Sequence, residues 1–411
     1  MAKRDFYPAL FDLSQDIAGD IPLALLQAWI ESPKTEQAAT TLLESTKVTG
    51  VSVSSDSAGL SKLSREKSLI EVLAYISQPK EVVFGLGKAI GGEGIGVWAA
   101  DNTQMFYPAN VAADTIVNML IETQKRIGTY LVKIGFGAHF GTFYRIGGGL
   151  YGTEADFIEK IAEENTEGGE IVVSDRLMEQ LHHVALFQFM ERKDLNNAFS
   201  KLFHVVNGPG NPDLEIHDYH YPIPYSNTFF EDIRQILPQP QRGQLALLEE
   251  KYIVRKVIVL IERERLEADS LEVEILNNLS FDTLMSKTAH ELLELYHGDD
   301  IKTVSSLGIY VFDEASNALT FAEQFQQKLL HDDGVRCKIG MDVGSVIIFD
   351  LPNGRKDIAG SPVNIASKMA QDKGEFGHIY ISDEIGHQTK PGGFVPFNLT
   401  VSGIVLYGMK K

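Results

Sequence analysis

Apolar residues recur every three to four positions at Leu10, Leu13, Ile17, Ile21, Leu25, Leu26 and Trp29, and the pattern stops at Pro33. That spacing lines one face of a helix, so a helical segment is predicted over residues 1–45. It is either a docking element for a partner or a helical pair packed on the domain that follows, and the second is expected. From Thr49 the pattern changes to alternation, with Val51 and Val53 separated by Ser52, and a strand–helix series runs to Ile171-Val-Val-Ser174. Gly, Pro, Asn and Asp crowd residues 207–226, NGPGNPDLEIHDYHYPIPYS, which marks a linker over 207–249. A second β/α series begins at Tyr252-Ile-Val. The predicted organisation is a helical segment 1–45, a first domain 46–206, the linker, and a second domain 250–411.

With 411 residues the chain is long enough for two or three domains that each bury a core. Lys+Arg 37 against Asp+Glu 56 leaves a net charge of −19, which repels nucleic acid and anionic membrane surfaces. The longest aliphatic stretch, Val257 to Ile261, is far below the ~18–20 residues that span a bilayer, and the first residues form no apolar signal core. A cytoplasmic protein with no nucleic-acid partner and no membrane span is expected. The single cysteine, Cys337, excludes an internal disulfide framework and is expected in the core.

The two halves repeat the same landmarks in the same order. The first half has Lys88 to Gly91, taken as a strand start, then Gly137-Ala-His-Phe-Gly141, Tyr151-Gly152 and Glu170-Ile-Val-Val-Ser-Asp175. The second has Lys302-Thr-Val-Ser305, Gly340-Met-Asp-Val-Gly344, Ala359-Gly360 and His378-Ile-Tyr-Ile-Ser-Asp383. Each half has the strand and helix order of an α+β, ferredoxin-like βαββαβ core with extra C-terminal strands.

The run Gly340-Met-Asp-Val-Gly344, Lys356-Asp-Ile-Ala-Gly-Ser-Pro-Val-Asn-Ile-Ala-Ser-Lys-Met369 and Ile379-Tyr-Ile-Ser382 resembles the catalytic domains of class III adenylate and guanylate cyclases. Val51-Ser-Val-Ser-Ser-Asp-Ser-Ala-Gly-Leu-Ser61 resembles the opening metal-binding strand of that family. The similarity covers residues 48–206 and 250–409 and implies two cyclase-homology domains that form an intramolecular pseudo-dimer with one nucleotide site at their interface. In such a site two divalent ions, Mg2+ or Mn2+, would activate the ribose hydroxyl and neutralise the leaving pyrophosphate.

The resemblance gives each position an expected role. Asp56 matches the first metal aspartate, and its register puts that role ahead of the turn or capping role that Asp-Ser also suits. Gly92 stands where the second metal aspartate belongs, and the adjacent Glu93 could substitute only in a bulged hairpin. Lys302 and Asp357 match the pair that selects adenine, Asn364 the residue that orients the ribose, and Lys368 replaces an arginine that braces the α-phosphate. A lysine there keeps the charge and loses the planar fork. Ser402 replaces a phosphate-binding lysine. In the second copy Ser306 occupies the second metal position and Glu262 or Arg263 lies near the first. At the symmetric site Gly149, Asp156 and Lys160 take the places of Asp357, Asn364 and Lys368.

Other groupings carry less. Gly147-Gly-Gly149 lacks the Lys-Ser/Thr of a phosphate loop. His217-Asp-Tyr-His220 has no third metal ligand in its motif, and His182-His183 is expected on a helix with a packing role. The departures at Gly92, Lys368 and Ser402 favour a regulatory or scaffolding pseudo-cyclase that binds a purine nucleotide, ATP in preference, and a protein partner. The alternative is an active adenylate cyclase converting ATP to 3′,5′-cyclic AMP and pyrophosphate.

Overall fold

The computed structural model describes residues 23–411 apart from 97, 99–101, 195–198, 217–225, 237–241, 305, 351–355, 373 and 402–403. Two compact units emerge, a first unit of residues 43–245 and a second that joins residues 23–42 to 246–411. Among the described residues no helix is long and apolar enough to cross a membrane.

The chain opens with α1 (Leu23–Glu31) and α2 (Glu36–Leu43). The first unit then runs β1 (Lys47–Ala58), α3 (Leu60–Glu66), α4 (Leu69–Ala89), β2 (Glu93–Gly94), β3 (Asn102–Pro108), α5 (Ala113–Ile127) and β4 (Lys133–Ile146). It continues through β5 (Gly149–Tyr151), α6 (Thr153–Asn165), β6 (Ile171–Ser174), α7 (Asp175–Met178), β7 (Gln188–Glu191), β8 (Leu202–Asn207) and α8 (Asn227–Ile236). The second unit has α9 (Arg242–Tyr252), β9 (Ile253–Arg263), α10 (Leu271–Tyr296), β10 (Gly298–Val304), β11 (Leu307–Phe312), α11 (Ala315–Lys328) and β12 (Cys337–Asp350). It closes with β13 (Lys356–Ala359), α12 (Ser361–Ser367), β14 (Ile379–Ser382), α13 (Asp383–Thr389), β15 (Val395–Val401) and β16 (Ile404–Lys410).

Each unit holds an eight-stranded mixed sheet, ordered β2-β3-β1-β4-β6-β8-β7 with β5 on β4, and β10-β11-β9-β12-β14-β16-β15 with β13 on β12. The orders coincide strand for strand, which establishes the internal repeat. The α+β class predicted from the landmarks is the observed one.

The aliphatic run Val257–Ile261 forms the central strand β9 and is covered on both faces, as continuous apolar strands are. Val257, Val259 and Ile261 pack with Phe281, Met285, Phe321 and Phe325 of α10 and α11. Ile258 and Leu260 pack with Ile309, Val346, Ala366 and Ala370 on the opposite side. Cys337 is fully buried in the former cluster, where burial pushes its thiol up to about 12.

Four features differ from the sequence expectation. The first concerns the N-terminal helices. Leu26 and Trp29 of α1 are buried, and the Trp29 indole N–H donates to Asn277 Oδ1 on α10 at 3.2 Å. This helix therefore belongs to the second unit and not to the domain that follows it, because its indole needs a partner that α10 supplies. Leu10, Leu13, Ile17 and Ile21 lie outside the described residues.

The second concerns the stretch read as linker, which is partly packed structure. Phe229, Phe230, Ile233 and Ile236 of α8 are buried, and α8 lies on α4. Gly210 N–H donates to Asn118 Oδ1 at 3.1 Å, and Arg126 Nη2 to the Leu214 carbonyl at 2.7 Å. His217 to His220 lie outside the described residues.

The third concerns Lys88, which is helical. Helix α4 starts at a capping box in which the Ser68 and Glu71 side chains each bond the other's backbone N–H, and it runs past Pro79 to Ala89. Lys88 thus ends a helix and starts no strand. His182 and His183 also lie outside any helix, exposed, with both backbone N–H groups bonded to Asp114.

Candidate functional site

The glycine pair of β12 sets how closely α12 approaches the sheet. A Cβ at Gly340 would stand 2.0 Å from the Ala366 carbonyl oxygen, and one at Gly344 would stand 2.8 Å from Pro362 Cγ. Gly360, at φ 155°, turns the chain into α12, and Pro362 suits the first helical turn, where its missing N–H is not needed. The helix is thereby pressed on β12. Asn364 is exposed on it, and Lys368 follows one turn later at the start of a π turn, Lys368–Asp372.

Lys302 and Asp357 reach the same region from two hairpins. Lys302 sits on β10 just past a register shift, opposite Ile309, and Asp357 sits on β13 opposite Phe349. Their Nζ and Oδ1 atoms are 3.6 Å apart, with the side chains 24% and 10% exposed. Asp357 Oδ1 also accepts the Ile358 N–H at 2.9 Å, which fixes the carboxylate. A cationic donor and an anionic acceptor lie side by side at the edge of the sheet. Such a pair can address a planar ligand that carries an acceptor next to a donor.

The symmetric positions of the first unit lack this pair. Gly149 is the register counterpart of Asp357, since Ile146↔Gly149 matches Phe349↔Asp357. The counterpart of Lys302 falls near Ile95, whose N–H bonds the Gln104 carbonyl, and not at Lys88. Gly147 and Gly148, at φ 57° and 86°, make the two-residue turn of the β4–β5 hairpin. Asp156 and Lys160 lie on α6, after Gly152 at φ 114°.

The metal candidates are not brought together. Asp56 ends β1 opposite Asn102 and Gly135. Glu93 pairs in regular register with Phe106, four residues farther along β3, or about 13 Å at strand rise. Its carboxylate lies 2.6 Å from Arg145 Nη1. The bulge that would turn Glu93 toward Asp56 is absent from this pairing. Gly92 is glycine for a packing reason, since a Cβ there would stand 2.4 Å from the Tyr107 ring and 2.8 Å from the Gly87 carbonyl. Asp101, next to Asn102 in the chain, lies outside the described residues.

In the second unit Glu262 holds the place of Asp56, because Asp56↔Gly135 and Glu262↔Lys338 are the same register position in the two sheets. Glu262 lies 3.3 Å from Lys338 Nζ. Arg263 points the other way and is fully buried, bonding Asp282 Oδ1 at 2.5 Å and Asn278 Oδ1 at 2.8 Å. Among the described residues no three His, Cys, Asp or Glu side chains could jointly hold a metal ion. Among the described residues, Glu93 and Glu262 both stand beside cations and do not supply the carboxylate pair that two divalent ions need.

Two residues escaped the motif reading. His139, inside Gly137-Ala-His-Phe-Gly141, has Nδ1 2.9 Å from Ser174 Oγ and Nε2 3.8 Å from Glu154 Oε1. Burial pushes this imidazole down to about 4. The Ser–His–Glu row is no nucleophile site, since His139 and Ser174 are both fully buried and Ser174 Oγ caps α7 by accepting the Leu177 N–H. Lys338 is the other. Lys338 lies in no motif and the glycine motif around His139 says nothing of its side chain, so only the strand register shows their neighbours.

No protein-family model matches the chain, and no curated protein matches it in sequence. Among solved structures, a class III adenylyl cyclase-like ATP-binding protein from Pseudomonas aeruginosa superposes with a TM-score of 0.54 at 10% identity, over 83% of this chain and 85% of that one. The chain has the class III cyclase-like fold. The adenylyl cyclase CyaB from P. aeruginosa aligns at 16% identity over 40% of this cyclase-like chain and 96% of its own, with a TM-score of 0.35. The guanylate cyclase domain of RhGC from Catenaria anguillulae, in complex with GTP, aligns at 18% identity over 38% and 94%, with a TM-score of 0.31.

Proposed function

We propose that this protein is a regulatory pseudo-cyclase that binds a purine nucleotide, ATP in preference, through its second unit. The reading is carried by the 3.6 Å pairing of Lys302 with Asp357. The lysine donates to adenine N1 and the carboxylate accepts from the exocyclic amine, whereas guanine offers the reverse pattern and is disfavoured. Asn364 orients the ribose and Lys368 meets the phosphates. The superposed P. aeruginosa protein is described as ATP-binding, which supports this choice of ligand. Turnover is disfavoured in this reading because Lys368 and Ser402 stand where the cyclase resemblance leads one to expect a phosphate-bracing arginine and a phosphate-binding lysine. The output is then a conformational or binding signal to a protein partner, in a cytoplasmic setting.

The test is calorimetric titration with ATP and GTP, with a parallel assay of 3′,5′-cyclic AMP in Mn2+. ATP is expected to bind without product. Lys302→Ala and Asp357→Ala should each weaken it at least tenfold, as loss of a charged hydrogen bond of about 1.5–3 kcal/mol requires. Cyclic AMP that disappears in Asp56→Ala would instead establish the active adenylate cyclase. Equal binding of ATP by the Lys302 and Asp357 variants would remove this site from consideration.

A further inference from the structure

The residues that fail to fit a metal ion in the second unit form a connected group of their own. Lys338 stands on β12 directly opposite Glu262. Its counterpart in the first unit is Gly135, where a Cβ would stand only 2.4 Å from Thr166 Oγ1 and 2.8 Å from the Glu167 carbonyl. One sheet thus has no room for a side chain at this position, and the other places an ammonium there.

All three donor directions of that ammonium are engaged. Nζ lies 3.3 Å from Glu262 Oε2, donates to the Gln371 carbonyl at 3.0 Å, and stands 5.0 Å from the centre of the Phe376 ring. The Lys338 side chain is 10% exposed and that of Glu262 23%. Gln371 belongs to the π turn Lys368–Asp372, whose first residue is Lys368. Carbonyls at a helix end lack intrahelical partners, and a cation there both satisfies them and complements the helix dipole. The Ser367 hydroxyl adds a bond to Gln371 Oε1 at 2.7 Å.

We propose that Lys338 is a resident cation that takes the place of a divalent ion at Glu262 and acts as a positioning residue for Lys368, by pinning the π turn that carries it. This rests on the reading of the second unit as the nucleotide-binding one. Two consequences follow from the geometry. Glu262 is already neutralised, so ATP binding by this unit needs no divalent ion at that carboxylate. The phosphate-facing lysine keeps its place only while the Gln371 carbonyl is held.

Hydrogen exchange of the amides of 368–372, followed in the full chain, tests the positioning directly. Lys338→Met is expected to speed exchange there about tenfold or more, as loss of a local anchor does, and Lys338→Arg to restore it. Mn2+ binding to the unaltered protein should be the same within about twofold in Glu262→Gln, as a carboxylate already neutralised by Lys338 requires. Lys338→Met should weaken ATP as much as Lys368→Ala, and the double variant should add nothing further, which a general loss of stability would not produce. Unchanged exchange in Lys338→Met, or additive losses in the double variant, would overturn the proposal. If Lys338→Met does not fold, Lys338→Gln keeps a shorter stem and a neutral N–H donor and gives the same comparison in milder form. An unaltered protein that binds no ATP would overturn the nucleotide half together with the reading it rests on, and exchange at 368–372 would still decide the positioning half.

Discussion

The two sheets share one strand order and fill it with opposite chemistry. On the face of β1 toward α6 stand Ser52 and Ser54, with Asn102 and Gln104 on β3 and His139 on β4. Their register counterparts in the second unit are Ile258, Leu260, Leu307, Ile309 and Asp342. In the first unit Ser52 Oγ, Gln104 Nε2 and His139 Nε2 are buried without a hydrogen-bond partner among the described residues. Each such orphan costs about 1–3 kcal/mol, whereas each buried Ile or Leu side chain contributes about 1.5–3 kcal/mol. The fold therefore does not depend on the filling of this face. It depends on what both copies keep: the strand pairing, and the glycine pairs that let a helix press on the central strand. The second unit is the one expected to resist denaturation.

The comparison breaks most visibly at the end of the central strand. Arg263 and Asp282 form a buried ion pair, and their position corresponds in the first unit to Ser57, a lone hydroxyl. Asp282→Ala leaves the guanidinium buried and uncompensated, and should cost about 3–5 kcal/mol by urea denaturation. Ser57→Ala should change stability by less than about 1 kcal/mol. A small loss in Asp282→Ala would show that the pair does not hold the second unit together.

The second comparison is made by pH. His139 and Asp342 are counterparts, and burial moves them in opposite senses: the imidazole falls from an ordinary 6.5 to about 4, and the carboxyl rises above its usual 3.8. Between pH 6.5 and 4 the unfolded chain binds a proton that folded His139 refuses. Stability from this group is therefore lost as pH falls through that window, by up to about 3 kcal/mol. Folded Asp342 keeps a proton that the unfolded chain gives up, so its contribution is lost as pH rises through its raised value. Unfolding midpoints from pH 4 to 7 should show a shallower acid slope for His139→Gln and a flatter upper limb for Asp342→Asn. Identical profiles for the three proteins would sink this assignment.

The smallest expected effect sharpens the contrast in filling. Ser52→Ala removes an unpaired buried hydroxyl and should be neutral or stabilising by up to about 1 kcal/mol. Ile258→Ala at the same register position should destabilise by about 2 kcal/mol or more in thermal melts.

What could be read in the chain was whatever the backbone demands locally. Gly137/Gly141 and Gly340/Gly344 mark close approach of a helix, Gly152 and Gly360 mark left-handed entries, and Val257–Ile261 marks a doubly covered strand. Lys302 and Asp357 were legible as a pair only through the resemblance to class III cyclases, and the structure brings them within 3.6 Å. Lys88 was misread, since a Lys-x-x-Gly spacing suits a helix end as well as a strand start, and the α4 capping box decides for the helix. That error made Glu93, in a bulged hairpin, a candidate to join Asp56, and the register pairs it with Phe106 instead. The Lys338 and His139 neighbourhoods were invisible because each joins residues that only strand pairing and helix docking bring together. The destination of α1 was likewise closed to inspection, because Asn277 lies in the other half of the sequence.

The seating of Trp29 against α10 makes the second unit discontinuous and the first an insertion within it. On the ribosome, residues 43–245 can complete their sheet as soon as they emerge, while α1 must wait, its indole unburied, for α10 and the sheet behind it. The second unit can close only after β16, residues 404–410, has emerged. Deletion of the first forty or so residues should accordingly be felt by the C-terminal half of the chain, and a stalled or truncated product should display a finished first unit beside an exposed Trp29.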